Sequence, residues 1–314
     1  MYNVILDCDP GHDDAIALLL ACKAENIKML GVTTVAGNSY IENVTNNAIR
    51  VMEYAGIEGI GVYEGCGRPM FNDLYRDTGI SIHGADGLGG PEIPKAVGKK
   101  QPEHAVEFIV RTLRESEEKV TIVAVGPLTN VALALMLCTP EMKAKIEQIV
   151  IMGGSVYTEG NVLSAQEFNI YQDPEAARIV MQSGCKIYLN TLDISMKALF
   201  MPEDKERLRA IGGKVPTLVA ELLDFFGKTH VETFGLEVTP IHDALCTGFL
   251  IDPSFIEFQH TYVDIATADK LTRGEIVADI WGLFNKEPNC YISTKVDREK
   301  FVEMIITHMA KYND

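Results

Sequence analysis

Short runs rich in β-branched residues alternate with longer helical patterns through the first two thirds of the chain. The predicted strands are NVILDCD, KMLGVTTVAG, IGVYEG, KVTIVAVG, EQIVIMGG and KIYLN. The helical patterns between them are DDAIALLLACKA, ENVTNNAIRVMEYAG, HAVEFIVRTLRES, LTNVALALML and PEAARIVMQSG. Such alternation is typical of βαβ units, whose crossover helices cover both faces of a parallel sheet. We therefore predict an α/β fold with a mostly parallel central sheet flanked by helices on both faces.

The pattern changes after Asp193, where helical segments follow one another. These are MPEDKERLRAIGG, VPTLVAELLDFFGKTHVETFG and IHDALCTGFLI, and the chain closes with DREKFVEMIITHMAKY. Between them, TYVDIA, GEIVADI and CYISTKV predict short strands of a smaller C-terminal sheet or extension. The sequence contains no low-complexity linker and no internal repeat, so we expect residues 1–314 to form one domain.

Polar, glycine-rich segments follow several predicted strands, namely DPGHDD, VAGN, VGPLTN and MGGSVYTEGN. In open α/β sheets, ligands bind outside the carboxyl ends of the strands. This coincidence predicts a ligand site there and favours an enzyme. The stretch 79–100 is also rich in glycine and has no clear periodicity, and it is a candidate mobile loop near that site.

The formal net charge of −16 argues against nucleic acid or an anionic membrane as partner, because binding to phosphates needs clustered Lys and Arg. It is compatible with a small neutral substrate and a bound cation. The seven cysteines form no CxxC pair, which predicts neither a disulfide framework nor a zinc site. The start of the chain lacks the pattern of a secretory signal, and no apolar stretch is long enough to span a bilayer. We expect a cytoplasmic protein.

The stretch ILDCDPGHDDA places four carboxylates close together, those of Asp7, Asp9, Asp13 and Asp14. Asp13 and Asp14 open a predicted helix, where carboxylates cap amides and are favoured by the helix dipole. Capping explains one or two of these aspartates but not the whole set. A hard cation with oxygen ligands, Ca²⁺ or Mg²⁺, would explain the others.

The sequence resembles the inosine-uridine preferring nucleoside hydrolases. The resemblance lies in DCDPGHDDA, TTVAGN, IHGADG, VAVGPLTN, IMGG, EGN with AQEFNIYQDPEAA, and PIHDAL, which follow one another in family order. The fold implied is a Rossmann-like core. The activity implied is hydrolysis of the N-glycosidic bond of a purine or pyrimidine ribonucleoside to free base and ribose, through a transition state similar to an oxocarbenium ion.

The resemblance also implies a Ca²⁺ site. Its ligands would be Asp9, Asp14, the backbone carbonyl of Val125, and Asp243. Calcium would orient a water molecule and lower its pKa. Asp9 would act as the general base toward that water.

Ribose would be held by acids and amides. The resemblance assigns this role to Asp13, Asn38, Asn161, Glu167 and Asn169. Asn38 and Asn161 each follow a glycine, so either could equally be a turn residue. Glu167 and Asn169 are two residues apart and would share one face of an extended segment, which favours a joint role.

The resemblance also assigns residues to the surroundings of the base. His242 would protonate a purine leaving group, since histidine titrates near neutrality, although it could also be a core histidine at a helix start. His83 matches a base-pocket position, and Met152 and Phe168 complete the substrate-binding set, with packing in the core as the alternative role of Phe168. His230 and Phe234 lie one helical turn apart, and core packing explains them equally well.

Pyrimidine-selective members of the family carry Gln and Tyr at the positions of His230 and Phe234. We therefore expect broad ribonucleoside hydrolysis with purines included. The resemblance further implies a homodimer or homotetramer and a role in nucleoside salvage. Two alternatives stay open: a Mg²⁺-dependent aspartyl phosphatase, which also carries DCD after its first strand, and a nucleoside- or ribose-binding protein without turnover.

Overall fold

A computed structural model describes residues 1–75, 82–235 and 239–313, apart from the side chain of Phe234. Within these ranges, nine strands form one sheet in the order β10-β9-β11-β6-β5-β4-β1-β2-β3, and β7 and β8 form a separate two-stranded ribbon. The strands are β1 Tyr2–Cys8, β2 Ile27–Thr34, β3 Val62–Glu64, β4 Val120–Ala124, β5 Ile146–Met152, β6 Ile187–Asn190, β7 Leu199–Phe200, β8 Thr239–Pro240, β9 Ile256–Ile265, β10 Ile276–Asp279 and β11 Cys290–Val296.

The central strand β1 pairs in parallel with β2 on one side and with β4 on the other. The order therefore reverses between β1 and β4, which is the topological switch point of a Rossmann-like sheet. Asp7 lies opposite Ala124 of β4 and Thr33 of β2. This register brings the segments that follow the three strands together at one edge of the sheet.

Helices cover both faces of the sheet, as the alternation in the sequence predicts. They are α1 His12–Lys23, α2 Ile41–Tyr54, α3 Ala105–Glu115, α4 Thr129–Leu137, α5 Pro140–Lys143, α6 Phe168–Gln172, α7 Pro174–Met181, α8 Leu192–Ser195, α9 Pro202–Ile211, α10 Lys214–Phe234, α11 Ala244–Ile251 and α12 Arg298–Ala310. Val4 and Leu6 of β1 pack in the core formed with α1, α10 and α11, whereas Ile5 packs on the other face with α3 and α4. The predicted fold class is confirmed.

The three C-terminal strands extend the central sheet. Strand β11 pairs in parallel with β6, β9 pairs with β11 in antiparallel orientation, and β10 pairs with β9 in the same way. Of the two possibilities left open by the sequence, a small separate sheet and an extension, the extension is correct. In the described ranges, no helix combines the length and the apolar character needed to cross a bilayer.

The ribbon of β7 and β8 was not predicted. It pairs Leu199 with Pro240 and Phe200 with Thr239. Because β8 ends at Pro240, the first residue of the PIHDAL motif, this pairing fixes where Ile241, His242 and Asp243 enter the molecule. All three side chains are buried.

Candidate active site

A cavity of about 340 Å³ opens at the switch point, beyond the carboxyl ends of β1, β2, β4 and β5. The predicted site residues that line it are Asp13, Asn38, His83, Val125, Met152, Asn161, Glu167, Phe168, Asn169, His230, His242 and Asp243. These residues are far apart in the sequence, and the sheet brings them to one place. The cavity thus lies where ligands bind in sheets of this type.

Two of the predicted carboxylates, Asp13 and Asp243, line the cavity, whereas Asp9 and Asp14 are buried and are not among its lining residues. Oxygen atoms of Asp13, Asp14 and Asp243 all lie within 4.8 Å of one another. Asp14 also accepts hydrogen bonds from the backbone N–H groups of Asp9 and Gly11, each over 3.0 Å. Asp14 therefore caps helix α1 as well, so both interpretations of the cluster apply to this residue. The set includes Asp13, which the resemblance assigns to ribose.

Asp9 lies next to this cluster, and only one of its two carboxylate oxygens has a hydrogen-bond partner among the described residues. Its Oδ2 accepts a hydrogen bond from the backbone N–H of Asn38 over 2.7 Å. Its Oδ1 is buried and has no hydrogen-bond partner among the described residues. A Cβ atom at Gly37 would lie 2.1 Å from Oδ2, and one at Gly126 would lie 2.6 Å from Oδ1, so both positions require glycine. A buried carboxylate oxygen without a partner is costly unless a proton or a cation compensates it.

The raised pKa values of the clustered carboxylates also indicate a site for a cation. Burial raises the pKa of Asp13 to about 8, and the charge of Asp14 adds to this effect. Burial, together with the neighbouring carboxylates, also holds the pKa values of Asp9 and Asp243 well above their usual range. A divalent cation among these oxygens would relieve the repulsion, and hard oxygen donors are what Ca²⁺ and Mg²⁺ prefer. The residues therefore fit a hard divalent metal.

Glu167 and Asn169 do not lie on an extended segment, so that prediction is wrong. Glu167 is the N-cap of helix α6 and accepts hydrogen bonds from the backbone N–H groups of Gly154, Asn169 and Ile170 over 2.7, 2.9 and 3.2 Å. A carboxylate is a strong acceptor at a helix start, which explains the local geometry. Both side chains still face the cavity. The amide of Asn169 donates to the carbonyl of Val125 over 2.7 Å.

The two asparagines that could have been turn residues make specific contacts. Asn38 Nδ2 donates to the carbonyl of Asp9 and to Asp14 Oδ2, both over 3.1 Å. Asn161 Oδ1 accepts from the backbone N–H of Phe168 over 2.9 Å and so fixes the start of helix α6. Met152 ends β5 and is buried, with its sulfur 3.5 Å from Asn169 Nδ2. All of these side chains border the cavity.

The opposite wall carries histidines. His242 Nδ1 lies 2.7 Å from Ser195 Oγ, and burial lowers the pKa of its imidazole to about 3. His230 packs edge-on against Phe226 at 4.5 Å between ring centroids, and burial also lowers its pKa. Core packing and cavity lining therefore both hold for His230. Phe234 ends helix α10, and its side chain lies outside the described part of the chain.

Of the stretch 79–100, residues 79–81 lie outside the described ranges. Of the remainder, Ile82 and His83 line the cavity, and His83 is buried and stacks on His12 and Phe226. Burial holds the pKa of His83 well below its usual range, and the nearby His12 adds to this.

Sequence reasoning did not identify several residues of the site and its surroundings, among them His12, Asp193, Ser195 and Phe226. His12 lies in the aspartate motif, but it has no oxygen atom to offer a hard cation, so the metal argument passed over it. Phe226 is one of two adjacent phenylalanines, and the sequence does not show which of them faces the core. Asp193 and Ser195 carried no signal, because their partners are 35 to 47 residues away in the chain. Asp193 accepts from the backbone N–H groups of Val156, Tyr157 and Thr158, and Thr158 lines the cavity.

A Rossmann-like sheet with an acidic, amide-lined cavity at its switch point defines an α/β enzyme that acts on a polar small molecule. The family model of the inosine-uridine preferring nucleoside hydrolases matches residues 4–303, and the chain belongs to this family. It is therefore a hydrolase of N-glycosidic bonds. Because the chain belongs to this family, the alternative of an aspartyl phosphatase is wrong.

Individual relatives match along the whole chain. The pyrimidine-specific ribonucleoside hydrolase RihA of Enterobacter sp. (strain 638) is 42% identical over 311 residues, covering 99% of this chain and 98% of the relative. The solved structure of the purine-preferring ribonucleoside hydrolase from Gardnerella vaginalis is 29% identical with a TM-score of 0.92, covering 99% of this chain and 98% of that one. A plant nucleoside hydrolase is 30% identical with a TM-score of 0.92, over 98% of this chain and 99% of that one.

Proposed function

We propose that this protein hydrolyses the N-glycosidic bond of purine and pyrimidine ribonucleosides, with Ca²⁺ held by Asp9, Asp14, Asp243 and the carbonyl of Val125. The observations that carry the proposal are the buried Oδ1 of Asp9, which has no partner among the described residues, and the convergence of oxygen atoms of Asp13, Asp14 and Asp243 within 4.8 Å of one another. When bound, Ca²⁺ supplies a positive centre that orients water and lowers its pKa. The names of the relatives support the substrate class.

Asp9 acts as general base toward the attacking water. The hydrogen bond from the Asn38 backbone to Oδ2 holds the carboxylate in place and leaves Oδ1 to receive the proton. A carboxylate is a suitable base here, because the cation would lower the pKa of the water from which it takes the proton.

Ribose binding belongs to the acids and amides of the cavity floor. Asp13, Asn38, Asn161 and Asn169 present carboxylate and amide groups there, and Glu167 fixes the backbone that carries Asn169. Neutral hydroxyl groups are recognised by such donors and acceptors. The substrate therefore needs no charge of its own.

The nucleobase lies on the side of the cavity that is lined by His83, His230 and His242. His242 is the general acid for a purine, and the Ser195 hydroxyl holds its Nδ1. Proton donation requires the imidazolium form, which burial disfavours in the free protein, so His242 must take up a proton before the base leaves. His83, His230, Phe168 and Met152 form the surrounding wall. Relatives with either base preference match the whole chain, which supports testing both classes.

The test is release of ribose from inosine, adenosine, guanosine, uridine and cytidine by the purified protein, with and without a calcium chelator. Release that the chelator abolishes and added Ca²⁺ restores is expected. Binding of these nucleosides in a calorimeter without release would instead support the binding protein without turnover. Near-normal turnover by Asp9→Ala would contradict the role of Asp9.

Assembly as a homodimer or homotetramer, a cytoplasmic location and a role in nucleoside salvage stay predictions. Light scattering after size-exclusion chromatography measures the first directly.

A further inference from the structure

The loop after β5, residues 155–166, lines one side of the cavity and folds back on itself. Residues 158–161 border the cavity, and the chain then returns toward helix α6. The backbone N–H of Asn161 donates to the carbonyl oxygen of Gln166 over 3.1 Å. A Cβ atom at Gly160 would collide with the same oxygen, so the two arms of the loop are in direct contact. The backbone of Gln166 therefore supports the part of the loop that borders the cavity.

The contacts of Asn161 determine which of its side-chain groups is left for a substrate. Its Oδ1 accepts a hydrogen bond from the backbone N–H of Phe168 over 2.9 Å. Because an N–H group only donates, the atom facing it must be the amide oxygen. This leaves Nδ2, with its two protons, as the group that can donate to a hydroxyl of the substrate.

The side chain of Gln166 links this loop to a distant part of the sheet. Gln166 is buried, its Nε2 donates to the carbonyl of Leu271 over 2.8 Å, and its Oε1 accepts from the backbone N–H of Ala165 over 3.1 Å. Gln166 also forms an antiparallel bridge with Glu275. Leu271 and Glu275 belong to the turn 266–275, which joins β9 to β10. The loop is thus attached to this turn through one side chain and one backbone bridge.

The turn 266–275 is in turn fixed to helix α7. Arg273 donates to both carboxylate oxygens of Glu175 over 2.5 and 2.6 Å, and to the carbonyl of Thr267 over 2.8 Å. A bidentate pair of this kind fixes the orientation of the guanidinium as well as its distance. Leu271 lies in the same turn, so its carbonyl is an acceptor in a fixed position.

We propose that Gln166 is a positioning residue that transmits the fixed geometry of the turn 266–275 to Asn161, and so sets the affinity for the ribose of the substrate. The ligand chemistry is that of a neutral sugar with free hydroxyl groups. Gln166 is not among the residues that line the cavity, so it acts on the substrate only through the backbone that it holds. The inference rests on the proposed function for its substrate, but the link between loop and turn does not depend on turnover.

Gln166→Met isolates the contact. Methionine keeps the length and nearly the volume of the side chain, but it offers neither the donor to Leu271 nor the amide oxygen that accepts from Ala165. The Gln166 backbone should then become free to move, and the carbonyl that accepts from Asn161 should move with it.

Asn289→Leu is the matched control. Asn289 Nδ2 donates to the carbonyls of Met181 and Val263 over 3.0 and 2.9 Å, and its Oδ1 accepts from the backbone N–H of Val263 over 2.8 Å. Leucine likewise keeps the size of the side chain and removes both of its hydrogen-bonding groups. Asn289 directly precedes β11 and is not a lining residue of the cavity, so this variant should lose comparable stability and keep the loop intact.

The first measurement is amide hydrogen exchange, followed by NMR, of the calcium-saturated protein. The backbone N–H groups of Asn161 and Val162 both donate to the Gln166 carbonyl over 3.1 Å. In Gln166→Met they should exchange about tenfold faster or more, and in Asn289→Leu at the rate of the wild type. Unchanged exchange of both groups in folded Gln166→Met overturns the proposal.

The second measurement is steady-state kinetics with uridine and inosine. Gln166→Met should raise KM about tenfold with a much smaller change in kcat, because Asp9 lies outside this loop. Asn161→Ala should raise KM at least as much, and the double variant should be no worse than Asn161→Ala alone, because Gln166 acts through Asn161. Additive effects, or an equal rise of KM in Asn289→Leu, contradict the proposal.

Arg273→Lys keeps the test decisive if Gln166→Met does not fold. Lysine cannot form the bidentate pair with Glu175, so the turn should loosen, and both readouts should change in the same direction by a smaller factor. Wild-type exchange and wild-type KM in Arg273→Lys would show that the turn does not support the loop. A wild type that cleaves no nucleoside refutes the proposed function, while the exchange rates still decide whether Gln166 holds Asn161.

Discussion

The side-chain amide nitrogen of Asn169 lies 2.7 Å from the carbonyl oxygen of Val125. This contact joins the start of helix α6 to the end of β4 across the switch point. A carbonyl oxygen has two lone pairs, so it can accept this hydrogen bond and still offer a lone pair to a cation. The same amide lies 3.3 Å from the carbonyl of Met152. Asn169 thus positions the backbone oxygen that we assign to the metal.

Asn169→Ala should lower both calcium affinity and kcat/KM, each by roughly 10- to 100-fold, the cost of leaving buried acceptors unpaired. Calcium titration and ribose release measure the two effects. Asn289→Ala is the matched control, because Asn289 also donates to two backbone carbonyls, those of Met181 and Val263, over 3.0 and 2.9 Å. Equal losses of activity in both variants would show that Asn169 acts only through stability.

The metal-free protein should lose stability as pH rises from about 4 to about 8. The pKa of Asp13 goes from 3.8 to about 8 on burial, so the folded state binds more protons than the unfolded chain over this window. Folding is then favoured at low pH and penalised as pH rises. Calcium should remove most of this slope. Thermal unfolding with and without chelator across this range measures both curves.

Asp243→Asn should raise the Tm of the metal-free protein at pH 8 by about 2 °C or more, because it removes one buried charge from the cluster. The same change should abolish the rise in Tm that calcium causes in the wild type. Asp269→Asn is the control, since Asp269 accepts from the backbone N–H of Leu271 outside the cluster and asparagine can keep that contact. A calcium-dependent Tm that survives in Asp243→Asn would remove Asp243 from the ligands.

Gly37→Ala should abolish most activity. Its Cβ would lie 2.1 Å from Asp9 Oδ2, so Asp9 or the backbone must shift, and we expect kcat/KM to fall by roughly 100-fold or more. Gly67→Ala is the control, since its Cβ would meet Ile41 at 3.3 Å, away from the cavity. Kinetics and Tm of the two variants separate loss of geometry from loss of stability. Wild-type kinetics in Gly37→Ala would show that the position of Asp9 is not critical.

The sheet and its helices could be predicted because hydrophobic period and turn residues are local signals. The pairing of β11 with β6 could not, because Tyr291 and Tyr188 meet only after the chain has crossed the molecule. The spacing of Glu167 and Asn169 predicts an extended segment, whereas Glu167 accepts hydrogen bonds from three backbone N–H groups and starts a helix. Single residues at the ends of helices and strands carry little periodic signal, and their conformation depends on tertiary hydrogen bonds.

The aspartate motif predicted an acidic site because several carboxylates in one turn are unfavourable without a cation. It could not show that Asp14 serves as both cap and cluster member, since that depends on its distance from Asp243. Nor could it assign a partner to His12, whose contacts with His83 and Gly89 cross more than 70 residues of sequence. The chemistry of the site was therefore readable, and its supporting contacts were not.

His242→Ala should reduce kcat/KM for inosine more than for uridine. General acid catalysis contributes roughly 10²- to 10⁴-fold, and the purine depends on protonation of its ring. Ser195→Ala should show a smaller loss in the same direction, because it removes the hydroxyl 2.7 Å from Nδ1. His230→Ala, in the same wall, controls for a change in cavity shape. If inosine cleavage falls no more than uridine cleavage, His242 is not the acid.

Asp193→Ala should weaken substrate binding through the loop that it holds. Its two carboxylate oxygens accept from the backbone N–H groups of Val156, Tyr157 and Thr158 over 2.8, 2.7 and 3.0 Å. Bonds to a charged acceptor contribute about 1.5 to 3 kcal/mol each, so their loss should free the loop and raise KM by roughly tenfold or more. Because Tyr157 is 71% exposed, chymotrypsin cleavage at that residue should also become faster.

Asp279→Ala is the matched control for this prediction. Asp279 accepts from the backbone N–H groups of Leu283 and Phe284 over 2.7 and 2.8 Å, in a loop whose described residues do not line the cavity. Removing it should cost comparable stability, because the contacts are of the same kind, and should leave KM unchanged. If the two variants raise KM equally, the loop after β5 does not hold the substrate; if only Asp193→Ala does, a residue remote from the reacting bond determines affinity through the backbone that it fixes.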